Sequence, residues 1–242
     1  DRIRRSLGPA LAVFTSKTVD FSNLVIKDNA TTNAGGAVFS YAKHADARIN
    51  YTNVVFENNQ VTGAGGVIYH VAELGNSQMN LTNCVFQNNQ SGASAGAIYH
   101  STADGAAQLN STGCTFFNNQ GGGGTGGGAV YFLGASNDAI LNITNSHFEG
   151  NQMNHTTTTY GSAIRVSTGI ANIVGTTFKG NKFSIDASGR GAIYGTGSST
   201  VTISGCTFDG NEANQGGHYN IFNGSLTIEN TIFENGSSTG SG

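Results

Sequence analysis

The stretch Ile49-x-Tyr51-x-x-Val54-x-Phe56-x-x-Asn59 returns along most of the chain and is the clearest indication of its fold. Equivalent stretches occupy residues 19–29, 79–89, 109–119, 141–151, 171–181 and 201–211, and a last copy departs from the pattern after Phe233. The Phe position falls at residues 26 (as Ile), 56, 86, 116, 148, 178, 208 and 233, in steps of 30, 30, 30, 32, 30, 30 and 25 residues. A fixed period in this range indicates a solenoid, in which each repeat is one layer that cannot bury its apolar face alone.

A second stretch, Gly65-Gly66-Val67-Ile68-Tyr69, follows the first and returns at 35–39, 95–99, 127–131, 161–165 and 190–194. The apolar residues alternate by two and then skip, without a 3.6-residue period, which indicates short strands joined by bends. Gly and Asn supply the bends because both tolerate positive φ. We therefore predict an all-β fold, a single right-handed parallel β-helix of about eight coils, with about 30 residues and three short strands per coil.

These patterns divide the chain into three parts. Residues 19–235 form the predicted β-helix, and the Gly- and Ser-rich residues 236–242 form a flexible tail or linker. Residues 1–18 are predicted to act as an N-terminal cap or as an inter-subunit segment. Within them, residues 7–14 are apolar apart from Gly8 and have no coil partner in the repeat pattern.

Coils that stack about 4.8 Å apart place equivalent side chains in columns. The aromatic column is predicted to be the spine of the core, with offset-stacked rings; it contains Phe56, Phe86, Phe116, Phe148, Phe178, Phe208 and Phe233. The asparagine column from Asn29 to Asn211 is predicted to point inward, with each amide bonding the next coil and the backbone at the bend. These columns describe the fold and by themselves imply no activity.

The pairing of a Gly-Gly-Ala-Ile stretch with Phe-x-x-Asn, as in Phe86-Gln-Asn-Asn89 followed by Ala95-Gly-Ala-Ile98, resembles the repeats of chlamydial polymorphic outer membrane proteins. More broadly, it is similar to the right-handed β-helix passenger domains of secreted adhesins. The resemblance covers roughly residues 19–235. It implies a surface-displayed, adhesive or structural domain that lies outside the cell or on its surface.

The composition excludes several classes of function. Charged residues make up 10% of the chain, against about 25% in typical soluble domains. The net charge is −3 and there is no basic patch, so we expect no nucleic-acid partner. No apolar run approaches the length of a membrane span. No cofactor motif is recognisable, and the Gly-rich residues 121–128 are not followed by the Lys-Ser/Thr of a phosphate-binding loop.

Candidate catalytic and metal-binding residues are scattered. Glu149, Lys179 and Asp209 share one column, which we interpret as a solvated cross-coil salt-bridge ladder and not as a catalytic group. His70 and His100 stack one coil apart without a third ligand in their column, so we interpret them as a surface pair and predict no metal site. No catalytic triad is visible, and we expect the chain not to be an enzyme.

The three cysteines share one column. Cys84 and Cys114 lie one repeat apart, a separation that a disulfide can span, whereas Cys206 lies three repeats further. The alternative is that all three are inert buried thiols. The sequence contains no Cys-x-x-Cys and no Cys/His zinc spacing.

One outer face stands out because four successive coils carry the same pair of outward polar residues. We call it the Asn-x-Thr face, and it comprises Asn50, Thr52, Asn80, Thr82, Asn110, Thr112, Asn142 and Thr144. Three interpretations remain open. The amides can satisfy one another in a structural ladder, the face can pack against another protomer or carry glycans, or its regular grid can bind ice or a polysaccharide.

Asn-x-Ser/Thr sequons are frequent, and glycans are expected on exposed ones if the source is eukaryotic and secretory. Sequons at Asn29 and Asn89 fall in the inward column and are poor acceptors. The remaining candidates are Asn50, Asn80, Asn110, Asn142, Asn154, Asn223 and Asn235, of which Asn154 and Asn235 lie in predicted bends.

The sequence thus favours a non-enzymatic extracellular β-helix with a structural or adhesive role. Its end coils leave backbone groups unpaired, so end-to-end assembly with copies of itself is expected. The assembly contact is predicted to use Leu7, Leu11, Val13, Phe14, Ile228 and Phe233. The second hypothesis is a solenoid that binds ice or polysaccharide through the Asn-x-Thr face, and the third is a polysaccharide lyase or hydrolase.

Overall fold

The structure, a computed structural model, describes residues 10–32, 36–42, 47–63, 65–73, 75–103, 106–123, 126–155, 159–183 and 189–240. Over these ranges the chain is a parallel β-solenoid of about 30 residues per coil, and the described residues contain no helix. Each coil contributes one strand to each of three eight-stranded sheets, A, B and C, and a shorter one to a fourth, sheet D. The predicted fold class is confirmed.

The strand bounds follow the repeat. Sheet A contains Leu11–Thr15, Val38–Ala42, Ile68–Ala72, Ile98–Thr102, Val130–Leu133, Ile164–Ser167, Ile193–Thr196 and Tyr219–Phe222. Sheet B contains Thr18–Ser22, Arg48–Thr52, Gln78–Thr82, Gln108–Thr112, Ile140–Thr144, Ile170–Val174, Thr200–Ser204 and Ser225–Glu229. Sheet C contains Val25–Lys27, Val55–Glu57, Val85–Gln87, Thr115–Phe117, His147–Glu149, Thr177–Lys179, Thr207–Asp209 and Ile232–Glu234.

Sheet D consists of two-residue strands, Ala30–Thr31, Gln60–Val61, Gln90–Ser91, Gln120–Gly121, Gln152–Met153 and Lys182–Phe183. Thr159–Tyr160 pairs with Gly189–Arg190, and Glu212–Ala213 pairs with Ser237–Ser238. A coil therefore has four strands where the sequence predicted three, because a two-residue strand is too short to show a period. The predicted count of about eight coils holds for sheets A, B and C, whereas about six turns are complete on all four sides.

Two corners of each coil are made by residues with positive φ. One lies between sheets B and C, as at Asn53 (φ 54°) and Asn83 (φ 52°), and the other lies between sheets C and D, as at Asn58 (φ 53°) and Asn88 (φ 54°). Later coils use glycine at the same places, for example Gly175 and Gly180. Asn and Gly are the residues that adopt this conformation at least cost, which explains their abundance in the repeat.

The aromatic column forms the centre of the core, as predicted. Neighbouring rings from Phe56 to Phe208 stack with centroids 4.4 to 5.1 Å apart and planes within 14°. These rings are fully buried. Phe233, in the last coil, continues the stack but is 38% exposed because no further coil covers it.

The inward asparagine ladder is also present. Asn89 illustrates it: its Nδ2 donates to the carbonyl of Phe56 (2.9 Å) and to Oδ1 of Asn119 (2.9 Å). The same bonds recur at Asn59, Asn119, Asn151 and Asn181. The last amide, Asn211, donates to the Phe178 carbonyl and meets Nδ1 of His218 at 3.2 Å, so an imidazole replaces the missing asparagine of the final coil.

The first coil begins earlier than the sequence predicted. Leu11–Thr15 pairs in parallel with Val38–Ala42, and Val13 is buried in the core. The prediction that residues 7–14 lack a coil partner is therefore wrong for Leu11 to Phe14, while Leu7 lies outside the described residues. The loop from sheet A to sheet B is shorter in this coil, from Thr15 to Thr18, than in the next, from Ala42 to Arg48, and this difference hid the repeat.

Candidate functional surfaces

The Asn-x-Thr face lies on the outer side of sheet B in exact coil-to-coil register, a register that pairs Asn80 with Asn50 and Asn110. Each asparagine amide donates to the oxygen one coil earlier: Asn80 to Asn50 at 2.8 Å, and Asn110 to Asn80 at 2.8 Å. The row starts at Asp20 and continues through Asn142 to Asn172. The amides are thus engaged with one another, as in the first of the three interpretations.

The threonines of this face are less engaged. Thr82 and Thr112 are exposed, and Thr52 and Thr144 are half-buried. Among the described residues none of these four hydroxyls has a hydrogen-bond partner in the protein, so they form a row that is open to solvent. The groups of the Asn-x-Thr face that remain free to bind a ligand are therefore the threonine hydroxyls, which form a single line with the threonine methyl groups beside them.

The sequons divide into two structural groups. Asn50, Asn80, Asn110 and Asn142 are half-buried within the ladder, whereas Asn154, Asn223 and Asn235 are exposed. Asn223 (φ 57°) and Asn235 (φ 53°) occupy bends, and Nδ2 of Asn235 donates to Asp209. Glycosylation at any of them stays a prediction, with Asn154 and Asn223 the most accessible acceptors.

The predicted salt-bridge ladder on sheet C is not formed. Glu149, Lys179 and Asp209 are in register, but among the described residues no ion pair within 4 Å joins them. Glu149 instead contacts His147 across 2.8 Å on its own strand, and Asp209 accepts from Asn235. Since the two carboxylates have different partners, and Lys179 lies between them in the column, the column brings no two carboxylates together for acid–base chemistry.

The interpretation of His70 and His100 as a surface pair is wrong. Both rings are fully buried on the inner side of sheet A, stacked 4.8 Å apart, with Phe132 next in the column. Ser40 Oγ contacts His70 Nδ1 at 2.7 Å, whereas His70 Nε2 and both nitrogens of His100 have no partner among the described residues. Burial lowers the pKa of His70 to about 4 and lowers the pKa of His100 well below its usual value, so both rings are neutral.

The cysteines are buried free thiols, so the disulfide that the spacing of Cys84 and Cys114 allowed is not present. The Cys84 amide donates to the Cys114 sulfur at 3.4 Å, and the Cys84 thiol contacts the Tyr51 carbonyl at 3.4 Å. The hydrogen bond between the two thiols, and then burial, raises the pKa of Cys84. These sulfurs fill a core column and are shielded from solvent.

The outer side of sheet A carries an aromatic column that sequence reasoning overlooked. Phe39, Tyr69 and Tyr99 stack with nearly parallel rings, 5.8 and 4.7 Å apart. Further along, the Arg165 guanidinium lies 4.9 Å from the ring centre of Tyr131 and 4.7 Å from that of Tyr160. The signal was the fifth residue of the second stretch, which is aromatic in most copies. Because these rings cover one another's faces, the column presents mainly ring edges to solvent.

No group of three or more His, Cys, Asp or Glu side chains suited to a metal ion occurs within the described ranges. Those ranges also contain no helix long and apolar enough to cross a bilayer. The chemistry on the surface is instead distributed in rows, one side chain per coil.

Comparison with known protein families found a match to part of the chain. Two coils match the Chlamydia polymorphic membrane protein (Chlamydia_PMP) repeat. The matched residues are 53–70 and 83–101, which contain the Phe-x-x-Asn corner and the Gly-rich stretch that leads into sheet A. The predicted resemblance is therefore confirmed for these coils. Comparisons with curated proteins and with solved structures found no match.

Proposed function

We propose that this chain is a non-enzymatic, surface-displayed β-helix with an adhesive or structural role. The observation that carries the proposal is the arrangement of outward polar side chains in rows, one side chain per coil, on a closed and continuously packed core. Rows suit contact with an extended or repetitive surface, whereas an enzyme needs a few groups that converge on one reacting atom.

The match to the polymorphic membrane protein repeat supports display at a cell surface, since the proteins that carry this repeat are named as membrane proteins. The low share of charged residues, 10%, and the net charge of −3 fit a scaffold that does not recruit nucleic acid. Fold alone is a weak guide to function, so the adhesive role needs a binding measurement of its own.

Adhesion is measured with beads that carry the folded chain through one terminus. We expect them to be retained under flow on cells or immobilised extracellular polymers, while beads that carry heat-unfolded chain are not. Equal retention of folded and unfolded chains would show that retention is non-specific. No retention on any surface would overturn the adhesive role.

We also propose end-to-end assembly as a second property, with a second copy of the chain as the partner. Both end coils leave apolar side chains open: Phe14 is 71% exposed and Val25 62% in the first, and Ile232 is 58% exposed in the last. Strand edges of this kind can continue a sheet through main-chain hydrogen bonds, and such a head-to-tail contact grows without closing.

The predicted assembly residues take different roles in this proposal. Leu11 and Val13 pack in the core of their own first coil, so they would stabilise the coil at the junction without contacting the neighbouring copy. Phe14 contacts Phe39 and Tyr41 on the outer side of sheet A. Ile228 and Phe233 lie in the last coil, where the neighbour would cover them.

A further inference from the structure

A row of glutamines runs along the outer side of sheet D. We call it the glutamine row; it consists of Gln60, Gln90, Gln120 and Gln152, which pair in register across four successive coils. The residue after each glutamine is buried, so the glutamine side chains point outward. Four such positions span about 14 Å along the solenoid axis at the usual strand spacing.

The amides of the glutamine row are unused. In the described part of the chain none of the four donates or accepts a side-chain hydrogen bond, in contrast to the asparagine amides of sheet B, which bond one another. Gln60 and Gln90 are exposed, and Gln120 and Gln152 are half-buried. The row therefore offers a repeated donor and acceptor at nearly fixed spacing, with no partner inside the protein.

A groove lies beside the first two amides. Its volume is about 230 Å³, and it is lined by Gln60, Val61, Thr62, Gln90 and Gly92. Gly92 packs too closely on the preceding coil to carry a side chain, because a Cβ at that position would lie 2.5 Å from the Thr62 carbonyl oxygen. The groove has no charged residue in its lining, and its polar groups are amides, a hydroxyl and backbone.

The surroundings of the row define the ligand further. The column is neutral through these four coils and becomes charged only at Lys182 and Glu212. In the coil of Gln120, Phe117 lies at the end of the adjoining strand of sheet C and is 37% exposed. The corner at Asn118 separates it from Gln120. An anionic ligand would need Arg or Lys partners, which the row lacks, whereas neutral hydroxyl groups match amides that donate and accept at once.

We propose that the glutamine row and its groove bind a linear neutral polysaccharide that lies along the solenoid axis. This rests on the proposed adhesive function and names the class of ligand. Each amide bonds hydroxyl groups of a nearby sugar unit, and the contacts of successive coils add along one chain. The Asn-x-Thr face differs from the glutamine row, because its asparagine amides already bond one another and are not free to bond a sugar.

The test uses the folded chain and affinity electrophoresis in gels that contain one soluble polysaccharide each: a β-glucan, a galactomannan, a xyloglucan or, as an acidic comparison, pectin. The variant is Gln90→Ala with Gln120→Ala. The matched control is Gln78→Ala with Gln108→Ala, which removes two glutamine side chains from the same two coils, but on sheet B. Circular dichroism and thermal unfolding establish that both variants fold.

We expect at least one neutral polysaccharide to retard the wild type and the control pair. The glutamine-row pair should bind about tenfold or more weakly, since it loses several hydrogen bonds to the sugar hydroxyl groups. No retardation by any neutral polysaccharide, equal weakening in both pairs, or weakening in the control pair alone would each overturn the proposal.

The bead assay separates this proposal from the adhesive function. If beads that carry the glutamine-row pair adhere as well as the wild type, the adhesive function stands and the polysaccharide site is wrong. If wild-type beads adhere to nothing, the adhesive function falls, and the gel assay alone decides whether the row binds sugar.

Discussion

At the scale of single residues, the stacked phenylalanines carry much of the core. Phe148 is fully buried between Phe116 and Phe178. We expect Phe148→Ala to lower the free energy of unfolding by about 3–5 kcal/mol, because it removes a large buried ring and leaves a cavity that adjacent coils cannot close. Urea denaturation measures the change.

Phe117→Ala is the control for that substitution, because Phe117 lies in the neighbouring coil but is 37% exposed. Its cost should be clearly smaller. A loss below about 1 kcal/mol for Phe148→Ala, or equal losses for both variants, would show that the inward register is wrong.

The buried histidines make stability depend on pH. The folded state holds His70 and His100 neutral, with pKa values lowered by burial, whereas the unfolded chain protonates them below about pH 6.5. The unfolded state therefore binds more protons below that pH, so stability is fully present above it and is lost as the pH falls toward 4.

We expect each buried histidine to make the free energy of unfolding up to about 2 kcal/mol lower at pH 5 than at pH 7. His100→Phe should reduce this pH dependence by about half, since Phe132 shows that a phenylalanine fits the column. An unchanged slope between pH 7 and pH 5 in the variant would contradict the assignment.

At the scale of the elements, the alternation of side chains predicted most of the fold. The inward positions of the first stretch, such as Tyr51, Phe56 and Asn59, are buried as expected, because a two-residue period leaves only one choice of face. The same rule places His70 inward, two residues after buried Ile68, but its polarity led to the wrong interpretation. The aromatic column on sheet A was visible in the sequence as the fifth residue of the second stretch but was overlooked. The glutamine row could not be interpreted from sequence, because only the structure shows which outward side chains have partners.

The threonine row of sheet B yields a prediction for the Asn-x-Thr face. We expect the Asn-x-Thr face to be structural, because its asparagine amides already bond one another. Thr82→Tyr should therefore leave the fold and the retention of beads unchanged. The check compares the freezing and melting points of concentrated protein solutions. A gap between the two that disappears in Thr82→Tyr would instead identify an ice-binding face.

At the scale of the whole molecule, we expect concentration-dependent association through the end coils. Ile232→Lys places a charge on the open edge of sheet C, where the wild-type side chain is 58% exposed, and should reduce association without loss of stability. Sedimentation velocity at increasing concentration measures the effect. Wild-type protein that stays monomeric at every concentration would rule out end-to-end assembly.

We propose that this solenoid binds polysaccharide and does not cleave it. The most direct measurement follows the mass of immobilised films of neutral polysaccharide and of pectin on a quartz-crystal microbalance while the folded chain flows over them. We expect a mass gain on a neutral film that survives rinsing, with the film itself intact. A film mass that falls below its starting value, through release of polysaccharide fragments, would contradict it.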